Sequence, residues 1–440
     1  MDIVIKIAQL LLSLSILVIF HEFGHFIAAR IFKTRVEKFY LFFNPWFSLF
    51  KFKRGETEYG VGWVPLGGYV KIAGMIDESL DREQMKLPPQ PWEFRSKPAW
   101  QRLIIMIGGV TVNVLLAFAI YIGILAMWGE QYLPTSEVNK YGIVADSLAK
   151  EMGLQNGDKI LAVEGKTIED FNKIPVALIL DEAKTITVER DGKVMDVVIP
   201  EGSLGKLVKH KDPDFLSPRF PFSVDGFGEV SPAKDAGIQL EDRIVAVNGS
   251  PTIYFDEFST AIKNHKGETV AMTIVRTSDT LSVNVPVSAE GTIGIYTNPS
   301  KLFTFSQKNY NIFQAIPAGF VKTIDGIGNY LKQLKLLFSP EVKAYESVGG
   351  FITIGSIFPA SWDWPAFWRL TAFLSIMLAI LNLLPIPALD GGHVVFLVYE
   401  IVTKKKPSDK FMEYAQVAGM IILLGILVFA NGNDIIKLFK

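Results

Sequence analysis

LLLSLSILVIFHEFGHFIAARIF, Leu10 to Phe32, sets two imidazoles and a carboxylate, His21, Glu22 and His25, inside an otherwise apolar run. A helix needs about 20 apolar residues to cross a hydrocarbon core roughly 30 Å thick. Counted from Ile7 to Phe32, this run is long enough. An ionisable residue near the bilayer centre costs on the order of 2.5–3.5 kcal/mol on insertion scales, so a cluster of them there needs a compensating role. Residues four apart share one helix face, so His21 and His25 can reach a single metal ion, with Glu22 beside them to take a proton from water. Zinc suits this set, because imidazole nitrogen is a good ligand and an open coordination position brings the pKa of bound water down toward about 7. The location weighs against the plainer alternative, in which the two histidines only make interhelical hydrogen bonds. The run is too long for a signal peptide and has HEFGH where a small-residue cleavage site would lie, so it is expected to be retained.

Three further apolar runs are candidates to span: Leu103 to Trp128, Phe367 to Leu384 and Val417 to Ala430, the last counted with its amphipathic lead-in from Phe411. The composition agrees with a membrane protein, at 49% hydrophobic residues and a mean hydropathy of +0.29. A net charge of −1 leaves no basic excess to neutralise phosphates, which argues against a nucleic-acid partner. With no cysteine, any metal must be held by His, Asp or Glu. Lys and Arg are dense between the first two runs and again at Lys404 to Lys406, so both connections are expected on the cytoplasmic side, and the N-terminus, the long middle segment and the C-terminus outside.

The middle, Gln131 to Thr304, has short alternating strands, turn signals at Asn156-Gly157, Asp191-Gly192 and Asn248-Gly249, and no spanning run. It repeats itself: SLAKEMGLQNGDKILAVEGK (Ser147 to Lys166) aligns without gaps to SPAKDAGIQLEDRIVAVNGS (Ser231 to Ser250), and TITVER and MTIVRT follow. The shared pattern resembles PDZ domains, which bind extended peptides along a sheet edge and capture chain ends; the alternative is a pair of spacers. After the insert, Asn311 to Leu337 has helical spacing of apolar residues, with Lys322, Lys332 and Lys335 on the other side. It is expected to be an interfacial helix broken at Pro317, or a helix packed on the insert.

A catalytic zinc usually takes a third protein ligand. The comparable polar cluster at membrane depth is NLLPIPALDGGH, Asn382 to His393, where Pro385 and Pro387 cannot continue a regular helix. Unwound backbone at that depth is tolerated where it is buried in protein or lines a cavity. Asp390 and His393 are both able ligands, and the residue chemistry alone slightly favours the imidazole.

HEFGH in the first span, a PDZ-like insert after the second and N-x-x-P-x-P-x-L-D-G-G-H closing the third resemble, in order and over nearly the whole chain, the site-2 protease family of intramembrane zinc metalloproteases. The resemblance implies that His21, His25 and Asp390 bind one zinc ion, that Glu22 is the general base, and that His393 is a neighbour. It also implies that Tyr59 to Met75, with Gly67, Gly68 and Tyr69 at its centre, forms a membrane-associated β element. With Asn382, Pro385 and Pro387, that element would handle an unwound substrate strand. The fold class that follows is an α-helical polytopic membrane protein of about four spanning helices, with that β element and two tandem extracytoplasmic PDZ-like α+β domains. Its divisions are a first catalytic part (1–130), the PDZ-like domains (131–220 and 221–306), an amphipathic connector (307–365) and a second catalytic part (366–440). The implied protein cuts transmembrane segments of membrane proteins or peptides, such as anti-sigma factors or remnant signal peptides. It would sit in the bacterial inner membrane with its active site toward the cytoplasm, and the PDZ-like domains would take peptide chain ends. A reading of another class is a membrane-tethered PDZ adaptor with a structural or inactive metal site. Two positions depart from the family pattern: Val110 in GGVTVN and Phe351 in SVGGFITIG stand where proline is common.

Overall fold

The computed structural model describes residues 2–75, 87–209, 215–338 and 349–439. Two compact units emerge, one made of Met1–Gly129, Asn309–Phe338 and Lys343–Lys440, the other centred on Glu130–Lys308. In the first, α1 (Asp2–Ile31) is followed by β1 (Val36–Phe43), β2 (Phe50–Arg54), β3 (Thr57–Val61), β4 (Val64–Ile72) and α2 (Ala99–Trp128). After the insert come α3 (Ile312–Leu337), α4 (Phe351–Ser356), α5 (Trp364–Leu383), α6 (Asp390–Thr403) and α7 (Asp409–Leu438). Among the described residues four helices, α1, α2, α5 and α7, are long and apolar enough to cross a membrane. Each contains one of the four apolar runs, and the last is the most extended relative to its run, because its polar lead-in is helical from the Ser408 cap onward.

The interior face of α1 is a stripe at helical spacing: Gln9, Ser13, Leu17, His21, Gly24, His25 and Ala28 are buried. Its polar members therefore face protein, while Ile7, Leu11, Leu12, Ile19 and Ile27 face outward, the arrangement a bilayer solvent requires. On α2 the matching stripe is Arg102, Ile105, Met106, Gly109, Asn113 and Ala117. The two helices meet where glycines face each other: a Cβ on Gly24 would lie 2.2 Å from the Gly108 carbonyl oxygen, and one on Gly108 2.6 Å from that of Gly24. Without side chains at that crossing the backbones close up, as small-residue pairs allow in membrane helices.

α3 corrects an expectation. It is one helix running through Pro317, and it packs against α2 and α5 rather than lying apart as a broken interfacial segment. Pro317 lies in the second turn, where it removes one helix hydrogen bond, while an Asn311–Gln314 capping box secures the start. Gly319 lies against Ile122 and Gly326 against Ile376, so tertiary contact holds what proline would break.

The β element is larger than Tyr59 to Met75. Its four strands run in the order β2-β3-β1-β4, so β4 is an edge strand. β4 pairs with β1 antiparallel, with irregularities near both ends, and packs on α1. Lys38, Lys51 and Lys53 interrupt the apolar alternation of β1 and β2, which hides these strands in the sequence.

The insert contains two separate cores, one from Leu133 to Leu216 joined by Phe303, the other from Phe222 to Ile293. Both halves follow one order of elements. Strands Lys159–Val163, Thr185–Arg190 and Lys193–Val198 make an antiparallel sheet in the first; Arg243–Val247, Thr269–Arg276 and Asp279–Pro286 do so in the second, with Ser250–Pro251 at its edge. Matching ion pairs recur, Arg190 with Asp158 and Arg276 with Asp242, each arginine also donating to a glycine carbonyl, Gly153 or Gly237. The entering strand Glu130–Tyr132 pairs with the leaving strand Ser306–Lys308.

Candidate active site

The HEFGH helix presents His21 and His25 one turn apart on the buried face of α1, their rings edge to face with centroids 4.9 Å apart. Asp390 arrives from the far end of the chain. After α5 ends at Leu383, the segment Leu384 to Leu389 is unwound, and Ala388 takes φ +83°, a left-handed conformation that costs a non-glycine residue free energy. That turn redirects the chain so that Asp390 opens α6 facing the histidines. The loop is clamped from two sides: a Cβ on Gly391 would lie 2.1 Å from the Leu384 carbonyl oxygen, and one on Gly419 of α7 1.6 Å from that of Pro387.

Three ligand-capable atoms converge. Asp390 Oδ2 lies 3.2 Å from His21 Nε2 and 3.3 Å from His25 Nε2, and the two nitrogens are 3.3 Å apart. His25 Nδ1 is 2.9 Å from the Ile105 carbonyl oxygen, so it carries the proton and leaves Nε2 of the neutral ring as a lone pair. Asp390 Oδ2 is buried without a hydrogen-bond partner. Lone pairs gathered at one point with no donor among them suit a cation, and two imidazoles with a carboxylate are a zinc donor set with room for a further ligand. The metal-capable group comprises His21, His25 and Asp390, without His393, which lines the same cavity.

That cavity, about 450 Å³, is walled by His21, Glu22, His25, Gly68, Tyr69 and Asp390 among others. Glu22 and Val70 share this wall, where α1 packs on β4. Gly68 permits this approach, since a Cβ there would lie 2.7 Å from Val18 and 2.6 Å from the Tyr40 carbonyl oxygen. Gly67 has φ +150°, and Tyr69 stacks on Tyr40 while its hydroxyl donates to Asn44 at 2.9 Å. Asn382, near the end of α5, brings Nδ2 to 3.2 Å from His21 Nε2. Pro385 and Pro387 do not line the cavity; they shape the loop that delivers Asp390.

Within GGVTVN, Gly109 and Asn113 keep the family pattern around Val110, and on α2 both lie against the histidines. A Cβ on Gly109 would lie 2.5 Å from His25 Nε2 and 2.6 Å from His21 Cε1, so this position must be empty for the ligands to fit. The Asn113 amide lies 3.3 Å from His21 Nδ1, and its buried Oδ1 has no partner. Turned by half a rotation, that amide would accept from His21 Nδ1–H and fix the tautomer with Nε2 free. An amide in mid-span was the available signal for Asn113. Phe351, the second departure from the family pattern, donates its backbone N–H to Asn431, a bond that proline would delete.

The description "Peptidase family M50" matches residues 9–426. The chain belongs to this family, the site-2 proteases. A Campylobacter jejuni relative bearing a zinc metalloprotease name is 30% identical over 444 residues, covering 99% of this chain and 94% of its own. The regulator of sigma-E protease RseP of Salmonella typhimurium is 29% identical over 472 residues, covering 98% and 99%. A Neisseria meningitidis relative, also with a zinc metalloprotease name, is 27% identical over 452 residues. As a member of family M50 the chain is a membrane-embedded zinc metalloprotease of bacterial type.

Proposed function

We propose that this protease hydrolyses peptide bonds within transmembrane segments, with His21, His25 and Asp390 as ligands of one zinc ion and Glu22 as general base. The observation that carries the reading is the unpartnered Asp390 Oδ2 within 3.3 Å of both Nε2 atoms, beside Glu22 in an apolar helix. When bound, zinc supplies Lewis-acid polarisation of the scissile carbonyl and eases deprotonation of water. Glu22 takes the proton from the attacking water and returns it to the leaving amine.

A helical substrate hides its carbonyls in i to i+4 hydrogen bonds and must unwind before attack. β4 supports that step: one edge pairs with β1, and Gly68, Tyr69 and Val70 line the cavity. An extended substrate added to β4 recovers the hydrogen bonds it lost, while Asn382 offers its amide to the freed backbone. Pro385 and Pro387 act on substrate indirectly, through the loop. The exposed aromatic rim of the sheet, Trp46, Phe47 and Phe50, supports its membrane association.

The basic connections support a site toward the cytoplasmic side of the inner membrane, with the insert outside. The recurring element order and paired Arg–Asp bonds support two tandem PDZ-like domains, divided near residue 220, that take peptide chain ends and admit substrates already shortened by an earlier cut. Anti-sigma factors and remnant signal peptides are the substrate classes we favour, the first in keeping with the RseP relative's name. The test is cleavage of model transmembrane peptides by the purified full chain in detergent. We expect cuts inside the apolar segment, lost on chelation and restored by zinc. Cuts confined to soluble flanks would overturn the reading.

A further inference from the structure

α7 carries a primary amide where an apolar helix has no evident use for one. Gln416 is 8% exposed and lines the cavity that contains His21, Glu22 and Asp390. Among the described residues its amide has no hydrogen-bond partner, and the little of Gln416 that stays exposed faces this cavity. The amide is not sealed in the packing but opens onto that cavity, where it is available to a polar group that enters. Its location is fixed: Gly419, three residues on along the same face, lies against the Pro387 carbonyl, which holds α7 to the loop that delivers Asp390.

An unwound substrate presents hydrogen-bonding groups along both edges of its strand. β4 can take one edge only. The other would face the low-dielectric cavity with its N–H and C=O unmet, which a membrane interior penalises by several kcal/mol per group. We propose that Gln416 binds this second edge, its amide donating to one substrate carbonyl or accepting from one N–H, so that the strand is held between β4 and α7. This inference rests on the intramembrane-protease reading above and names a further substrate-binding residue of that same site.

The experiment measures kcat/KM and zinc content of the full chain, wild type against Gln416→Leu, on a model transmembrane peptide. A set of the same peptide carries a single backbone ester in place of each amide near the cut. We expect Gln416→Leu to keep its zinc and to lose about fivefold to tenfold in kcat/KM, the scale of one neutral hydrogen bond. At one position the ester costs the wild type a similar factor and costs Gln416→Leu little. A merely structural role would not produce that position-specific loss of additivity. A Gln416→Leu protein within about twofold of wild type, or ester penalties that multiply in full at every position, overturns the proposal. Should Gln416→Leu lose zinc, Gln416→Met, unbranched and of similar length, takes its place; zinc loss in both assigns Gln416 to the metal site and overturns substrate binding. A zinc-loaded wild type that cuts no peptide in the set refutes the protease reading itself, an outcome distinct from the others.

Discussion

His21 and His25 are placed as the HEFGH spacing dictates, on one buried face of α1. At the third position the residue chemistry left Asp390 and His393 open; Asp390 has the converging oxygen, while His393 stands on the cavity wall. No local pattern could decide that, because the choice depends on the left-handed turn at Ala388 and on Gly391 and Gly419 clamping the loop. Asn113 illustrates the same limit: its contact with His21 joins helices 92 positions apart in the chain. If its amide orients the imidazole, Asn113→Leu lowers zinc affinity by about 10- to 100-fold, as loss of such supporting hydrogen bonds does elsewhere. Asn113→Asp, which keeps an acceptor, retains most of it. Competition with a chromophoric chelator measures both, and equal affinity in wild type and Asn113→Leu would refute the orienting role.

Among the elements, the four spans were legible because composition and length alone decide them, whereas β1 and β2 were not, their alternation being masked by basic residues. Helix contacts are set by glycine positions. Gly419→Ala forces the α7 backbone away from the Pro387 carbonyl, so we expect a loss of about 1–3 kcal/mol of stability, the usual scale for overpacking. A concurrent fall in zinc content would follow from displacement of Asp390. Thermal unfolding with metal analysis reads both effects, and a fully stable, zinc-replete Gly419→Ala protein would show that the loop does not depend on α7. In the insert, the Arg276 guanidinium beside Asp242 holds that carboxyl below its ordinary range. A lowered folded-state pKa stabilises at pH above the unfolded value of about 3.9, and that stability is lost as pH falls through the lower folded value. Hydrogen exchange of Arg243–Val247 from pH 5 downward should show protection falling in acid, and a flatter profile in Arg276→Leu. Equal slopes would mean the pair contributes nothing.

For the whole molecule, the internal repeat was readable because both halves spend the same residues on the same turns, and Arg190–Asp158 and Arg276–Asp242 explain why acidic turns recur. What the sequence did not reveal is that the first core recruits Phe303 from beyond the second, and that Asn156 donates to Asp256 while Arg219 reaches Asp256 and Glu257, joining the halves. If the insert selects substrates, deleting Gln131 to Thr304 should leave cleavage chemistry intact and admit substrates with bulky soluble domains. Loss of all activity in a correctly inserted deletion protein would count against selection. If Glu22 moves the proton for hydrolysis at a metal held by other side chains, its loss should spare the metal and stop the chemistry. Zinc content and transmembrane-peptide cleavage of Glu22→Gln beside wild type read both. We expect undiminished zinc with cleavage lower by about 10²- to 10⁴-fold, the usual contribution of a general base; cleavage at the wild-type rate with zinc bound would contradict that role.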